Sequence, residues 1–222
     1  MARRNAPLAG LIRWAEPLSV LALIIIAGAF RWVNLVQLPP GLATAEARVG
    51  LESVNLINHG AWPGLDSFNS YAPAWIWLQA IMVKLFGPTQ FALRLLPAIL
   101  GVLAVVLTWL WLRDWFGRRI GLLGAFLLAV VPWSVTLTRN ATATALVLVV
   151  VPLVLWTAGR VYRRESLGRW LAAGGALLVS LLAGPLGWLL AVVVAGAGLL
   201  ALGRRRDWRA SAGRLVALGM VA

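Results

Sequence analysis

Long apolar runs recur along this chain, and the arginines that separate them come in bunches. A run of roughly 17 to 25 mostly apolar residues carries a helix across ~30 Å of hydrocarbon. The pattern limits the fold to an all-α polytopic membrane protein. Composition agrees, since 61% of residues are hydrophobic, 12% are charged and the mean hydropathy is +0.87; lipid is the main solvent. The net charge of +13 does not signify nucleic acid. That partner requires a basic face on a soluble fold, whereas these basic groups lie between apolar runs.

Four bunches hold fifteen of the twenty basic residues: Arg3, Arg4 and Arg13; Arg113, Arg118 and Arg119; Arg160, Arg163, Arg164 and Arg169; and Arg204, Arg205, Arg206, Arg209 and Arg214. The positive-inside rule places all four in the cytoplasm. The spans predicted on that basis are Pro17 to Val36 outward, Leu95 to Leu112 inward, Ile120 to Leu137 outward and Ala141 to Ala158 inward, with Thr138 to Asn140 as a tight outer turn. The run from Trp170 to Leu202 divides into two helices at Gly184, Pro185 and Gly187, residues that break helices. A seventh span starts near Leu215. Residues 1–222 thus form a single transmembrane domain of about seven helices. Arginine far outnumbers lysine, which points to a GC-rich bacterial genome. The expectation is a multi-pass protein of the bacterial inner membrane with a cytoplasmic N-terminus and an uncleaved first helix.

The outer loop, about residues 37–94, departs from this regularity. Its apolar stretch from Ala74 to Phe86 is too short to span and carries Lys84. Counting it as a span would move Arg118 and Arg119 to the outside, so it is expected to lie flat as an interfacial helix, with Trp75 and Trp77 at headgroup depth. Other tryptophans cluster near predicted span ends as an aromatic belt. No cysteine is present, so the loop is held by packing and not by disulfides. Glu46, Glu52, His59 and Asp66 offer oxygen and nitrogen ligands for a divalent metal ion. Their spacing argues against one: Glu46 and Glu52 fall on different faces of a helix, and a lone histidine is more often a loop hydrogen-bonder. No metal ligands are assigned, and Arg48 is placed to neutralise Glu46.

The ordered strings LPPGLATAEARVG (from Leu38), YAPAWIWLQA, LFGPTQFALRLLPAILG and FGRRIGLLGAFLLAVVPWSVTLTRN resemble the N-terminal half of the polyprenyl-phosphate-dependent glycosyltransferases of the C superfamily, among them the protein O-mannosyltransferases and aminoarabinose transferases. The resemblance covers about Phe30 to Arg160. It implies a GT-C-like helical bundle that takes a sugar from a polyprenyl-phosphate carrier and passes it to an acceptor on the outer face. That chemistry needs a carboxylate to accept the acceptor's proton and cations to stabilise the departing lipid phosphate. In the family an Asp-Glu pair after the first span supplies the carboxylate. Here the pair reads Ala45-Glu46, leaving Glu46 as the candidate catalytic base. A second family motif reads Ala72-Pro73, without its polar residue, and Thr142-Ala143 stands where some relatives carry a basic group. Lys84, Arg94 and Arg139 are the candidate lipid-phosphate ligands, arginine suiting bidentate contact and lysine a point charge; snorkelling at helix ends is the competing role.

Relatives carry more spans, whereas this sequence stops at Met220, Val221 and Ala222 inside an apolar run. The expectation is a shortened, catalytically impaired transferase or a piece of a longer enzyme, with the lipid bilayer, a polyprenyl-phosphate-linked sugar and other membrane subunits as partners. A non-catalytic scaffold or accessory subunit of a larger membrane complex is the alternative reading. A carrier or channel is disfavoured, because no predicted span buries an acidic residue to mark a pathway.

Overall fold

A computed structural model describes residues 6–60, 72–163 and 166–203. Among these residues all regular structure is helical: α1 Ala6–Trp32, α2 Thr44–His59, α3 Pro73–Phe86, α4 Gln90–Phe116, α5 Arg118–Val130, α6 Pro132–Leu137, α7 Thr144–Arg163, α8 Leu167–Leu182 and α9 Pro185–Gly203. The all-α membrane class read from the sequence is therefore the observed one. The seventh span, Asp66 and the bunch from Arg204 to Arg214 lie outside the described residues. Two helices, α4 and α7, are long and apolar enough to cross a membrane by themselves; α3, α8 and the Pro185–Gly196 part of α9 are shorter apolar helices.

The central element is α4, which packs against α1, α3, α5 and α7, while α8 and α9 lean on α7. Small and β-branched residues allow this closeness. Ala104 on α4 and Ala145, Val149 and Val154 on α7 are buried together in the main core, where dispersion contacts between tightly packed side chains replace the hydrophobic effect as the cohesive force. The expected division at Gly184 and Pro185 is observed, and Gly184 takes the left-handed backbone (φ +97°) that ends α8, a conformation glycine adopts without strain.

Two expectations are corrected. The predicted span Ile120 to Leu137 is broken into α5 and α6, because Pro132 has no N–H for the Leu128 carbonyl and restarts the chain as the first residue of a new helix. The helix expected over Ala74 to Phe86 forms, but Trp75 does not turn its indole outward to meet headgroups. It is fully buried in the main core with Val49 and Leu96, while Trp77 on the same helix is exposed. Spacing puts Trp75, Ile76, Gln79 and Val83 on one face of α3, and that face packs on α2 and α4.

Prolines organise the polar interior as well. Pro97 inside α4 leaves the Leu93 carbonyl without its helical donor, and the buried Gln79 Nε2 donates to it at 2.9 Å. At the α5–α6 break the same office falls to Arg31, which is fully buried. Its Nη2 donates to Leu128 O (3.3 Å) and Ser134 Oγ (3.0 Å), its Nη1 to Ala129 O (3.1 Å) and Ala27 O (3.2 Å), and its Nε to Thr138 Oγ1 (2.9 Å). A guanidinium has five N–H groups, so Arg31 is saturated. Room for it comes from Gly101 on α4, where a Cβ would stand 2.3 Å from Arg31 Nε and 2.7 Å from Thr138 Cβ.

Candidate functional site

The chain leaves α1 at Trp32, turns through Asn34 (φ 51°) and a cis Leu38–Pro39 peptide, and reaches α2 after Gly41 (φ 75°). A segment this irregular has carbonyls that no helix satisfies. Two arginines from distant parts of the sequence collect them. Arg94, in the first turns of α4, donates through Nη1 to Leu35 O (3.3 Å), Val36 O (3.1 Å) and Pro39 O (2.8 Å), and through Nη2 to Gly41 O. Arg139, between α6 and α7, donates through Nη1 to Phe30 O (2.8 Å), through Nη2 to Val33 O (2.8 Å), Asn34 O and Leu38 O (both 3.0 Å), and through Nε to Leu38 O (3.2 Å).

Glu46 completes the arrangement. It stands at the third position of α2, where the helix dipole favours a carboxylate, and its Oε2 accepts from Ala43 N at 3.2 Å. The same oxygen meets Arg94 Nη2 at 3.1 Å, and Oε1 accepts from Ala141 N at 2.8 Å. Both side chains of the pair are essentially inaccessible. One carboxylate thus fastens α2, α4 and the start of the 141–143 turn. Sequence separation hid this pairing: the partner of Glu46 is Arg94, not its neighbour Arg48, which is exposed.

The structure brings Glu46, Arg94 and Arg139 together around one loop, and the two arginines face a single carboxylate among the described residues. Burial, then the nearby charge of Arg94, lowers the affinity of the Arg139 guanidinium for its proton from the ordinary value. Arg139 is partly exposed, whereas Arg94 has no accessible surface. Lys84 is exposed in the last turn of α3. Ala45 also faces outward, one residue before the buried Glu46. His59 is exposed at the end of α2, Glu52 is half-buried, and among the described residues no three His, Asp or Glu side chains converge as metal ligands.

Chemically, Glu46 as placed is an anchor. Three donors occupy its oxygens, and its side chain is closed off from solvent. Arg94, a candidate lipid-phosphate ligand, holds the carbonyls of Leu35, Val36, Pro39 and Gly41 and the Glu46 carboxylate. Sequence reasoning left Arg31 and Gln79 without roles. The signal that finds them is a polar residue on an apolar helix together with a proline four residues after an orphaned carbonyl.

The sequence model of the dolichyl-phosphate-mannose-protein mannosyltransferase family matches residues 70–222. The match begins beyond α2, so Ala45 and Glu46 precede it. No curated protein and no solved structure matches.

Proposed function

The chain belongs to the dolichyl-phosphate-mannose-protein mannosyltransferase family, and from that premise we propose a membrane protein that holds a polyprenyl-phosphate-linked sugar but transfers it poorly. Arg139 and Lys84 are the groups offered to the lipid phosphate, with Arg94 and Glu46 behind them as positioning residues. One observation carries the reading: Arg94 and Arg139 share a loop with one carboxylate, and Arg139, which has no acidic partner among the described residues, is the partly exposed one. Part of its hydrogen-bonding capacity holds the C-terminal carbonyls of α1, as basic groups at helix ends commonly do. Nε and Nη2 are taken up by Val33, Asn34 and Leu38, which leaves the second N–H of Nη1 for a charge-assisted contact to phosphate.

The impairment follows from Ala45. Ala45, which the motif resemblance sets against the family's aspartate and which precedes the matched residues 70–222, is exposed beside the anchored Glu46, so on this reading the scaffold that would present a base is built while the base itself is missing. General-base catalysis contributes roughly 10²- to 10⁴-fold. Ala45→Asp is therefore expected to raise mannosyl transfer from dolichyl-phosphate mannose by about 10²-fold, measured on the purified full chain with a hydroxyl-bearing peptide acceptor. Unchanged transfer, in a variant that still co-purifies with lipid phosphate, would show that more than the base is lost.

The accessory-subunit reading draws support from the saturation of Glu46, the one carboxylate that Arg94 and Arg139 face among the described residues. Native mass spectrometry of the gently extracted protein separates the two: stoichiometric partner chains favour the accessory role, and bound polyprenyl phosphate favours the transferase lineage. The arginine bunches support placement in a bacterial inner membrane with the N-terminus cytoplasmic. Because the chain has no cysteine, single-cysteine labelling is clean. A cysteine at His59 is expected to react with an impermeant maleimide from outside, and one at Ser166 only after permeabilisation. The reverse pattern overturns this topology.

A further inference from the structure

At the opposite end of α4 from Arg94, three guanidiniums lie over indole rings. Arg160 is 4.2 Å from the Trp156 ring centre, Arg113 is 5.0 Å from Trp109 and Arg163 is 5.8 Å from Trp115. Two carboxylates organise them. Asp114 Oδ2 accepts from Trp156 Nε1 at 2.9 Å and meets Arg160 Nε at 3.2 Å, and the Asp114 carbonyl accepts from Arg163. Glu16 meets Arg113 Nε at 2.8 Å and Arg118 Nε at 2.7 Å. With exposed Arg119, five arginines face two carboxylates here, a net excess of three positive charges among the described residues, and Arg119 and Arg163 meet no carboxylate there.

The arrangement leaves this charge accessible. The side chains of Arg118 and Arg160 are about half exposed (51% and 50%). Stacking engages the flat face of a guanidinium, so the N–H groups beyond those that Glu16 and Asp114 take are the ones offered to phosphate oxygens, among them both Nη groups of Arg160. Exposed Trp115 and Phe116 lie beside the cluster, giving it the mixed aromatic and basic character of a membrane interface. Close approach of Trp115 is built in, since a Cβ at Gly159 would stand 2.4 Å from its Nε1.

We propose that this end of the bundle is a binding site for anionic phospholipid headgroups, with Arg160 and Arg163 on α7 and Arg118 and Arg119 on α5 as phosphodiester ligands. It is separate from the Glu46 loop and does not depend on the transferase reading.

The test uses the full chain in detergent, titrated with phosphatidylglycerol or phosphatidylcholine, with lipid retention read by native mass spectrometry. Phosphatidylglycerol is expected to bind at least tenfold more tightly. Each arginine near an anionic surface contributes roughly fivefold, so Arg160→Gln/Arg163→Gln is expected to lose at least tenfold in affinity. Arg118→Gln/Arg119→Gln, which leaves Asp114 paired, provides a second reading should the first pair fail to fold. Equal retention of the two lipids overturns the proposal, as does unaltered binding in both variants. Loss only in Arg139→Gln would assign the lipid to the other end, and equal competition by inorganic phosphate would make this a small-anion site; either result overturns it.

Discussion

Arg94→Met is expected to lower the stability of the solubilised chain by about 3–5 kcal/mol, the usual cost of removing one partner from a buried ion pair. The loss has two sources. Glu46 stays fully buried with only two backbone N–H donors, and the carbonyls of Leu35, Val36, Pro39 and Gly41 lose their shared donor. Glu46→Gln is expected to act in the same direction but more weakly, since Arg94 keeps its four carbonyls. Combining the two changes should recover part of the loss, because no charge is then left unpaired in the interior; the coupling comes from the full double-mutant cycle. Denaturant midpoints with circular dichroism provide the measurement. Wild-type stability in Arg94→Met would show that the pair does not hold the loop.

The second large effect is expected at the α5–α6 break. Arg31→Met orphans the carbonyls of Leu128 and Ala129, at roughly 1–3 kcal/mol each; relief of burying a guanidinium offsets some of this, leaving a net cost of about 2–4 kcal/mol. The proline supplies the control. In a Pro132→Ala background, residue 132 regains an N–H that can serve Leu128 O, so Arg31→Met should cost about 1 kcal/mol less than in the parent. An identical cost in both backgrounds would mean that Arg31 stabilises the chain by some route other than these carbonyls.

Much of the fold was legible because hydropathy reports what lipid requires. The apolar runs located α4 and α7, and Gly184 with Pro185 located the division between α8 and α9. Hydropathy is blind, however, to single backbone donors, and so the Ile120–Leu137 run read as one helix despite Pro132. It is equally blind to which face of a short helix is covered: Trp75 and Trp77 look alike in sequence, yet only Trp75 points at α2 and α4. The site was legible as a set of residues and not as an arrangement. Glu46 and Arg94 were both singled out, but their pairing spans 48 positions and depends on how α2 folds back on α4. Once paired, they occupy each other, which no inspection of their separate neighbourhoods reveals. Arg31 escaped notice because its partners come from Leu128 and Ala129 on α5, Ser134 on α6, Thr138 just beyond it, and α1 itself.

The central helix also fixes a length. From Arg94, which grips the loop, to Asp114, which gathers the arginine–indole stacks, α4 runs twenty residues without a break, or about 30 Å at 1.5 Å per residue. That matches the hydrocarbon depth of a typical bilayer. The helix therefore works as a gauge, with a polar fixture at each graduation mark. A bilayer thinner or thicker than this span must strain one fixture or tilt the rod, so membrane thickness itself bears on the geometry of the Glu46 loop.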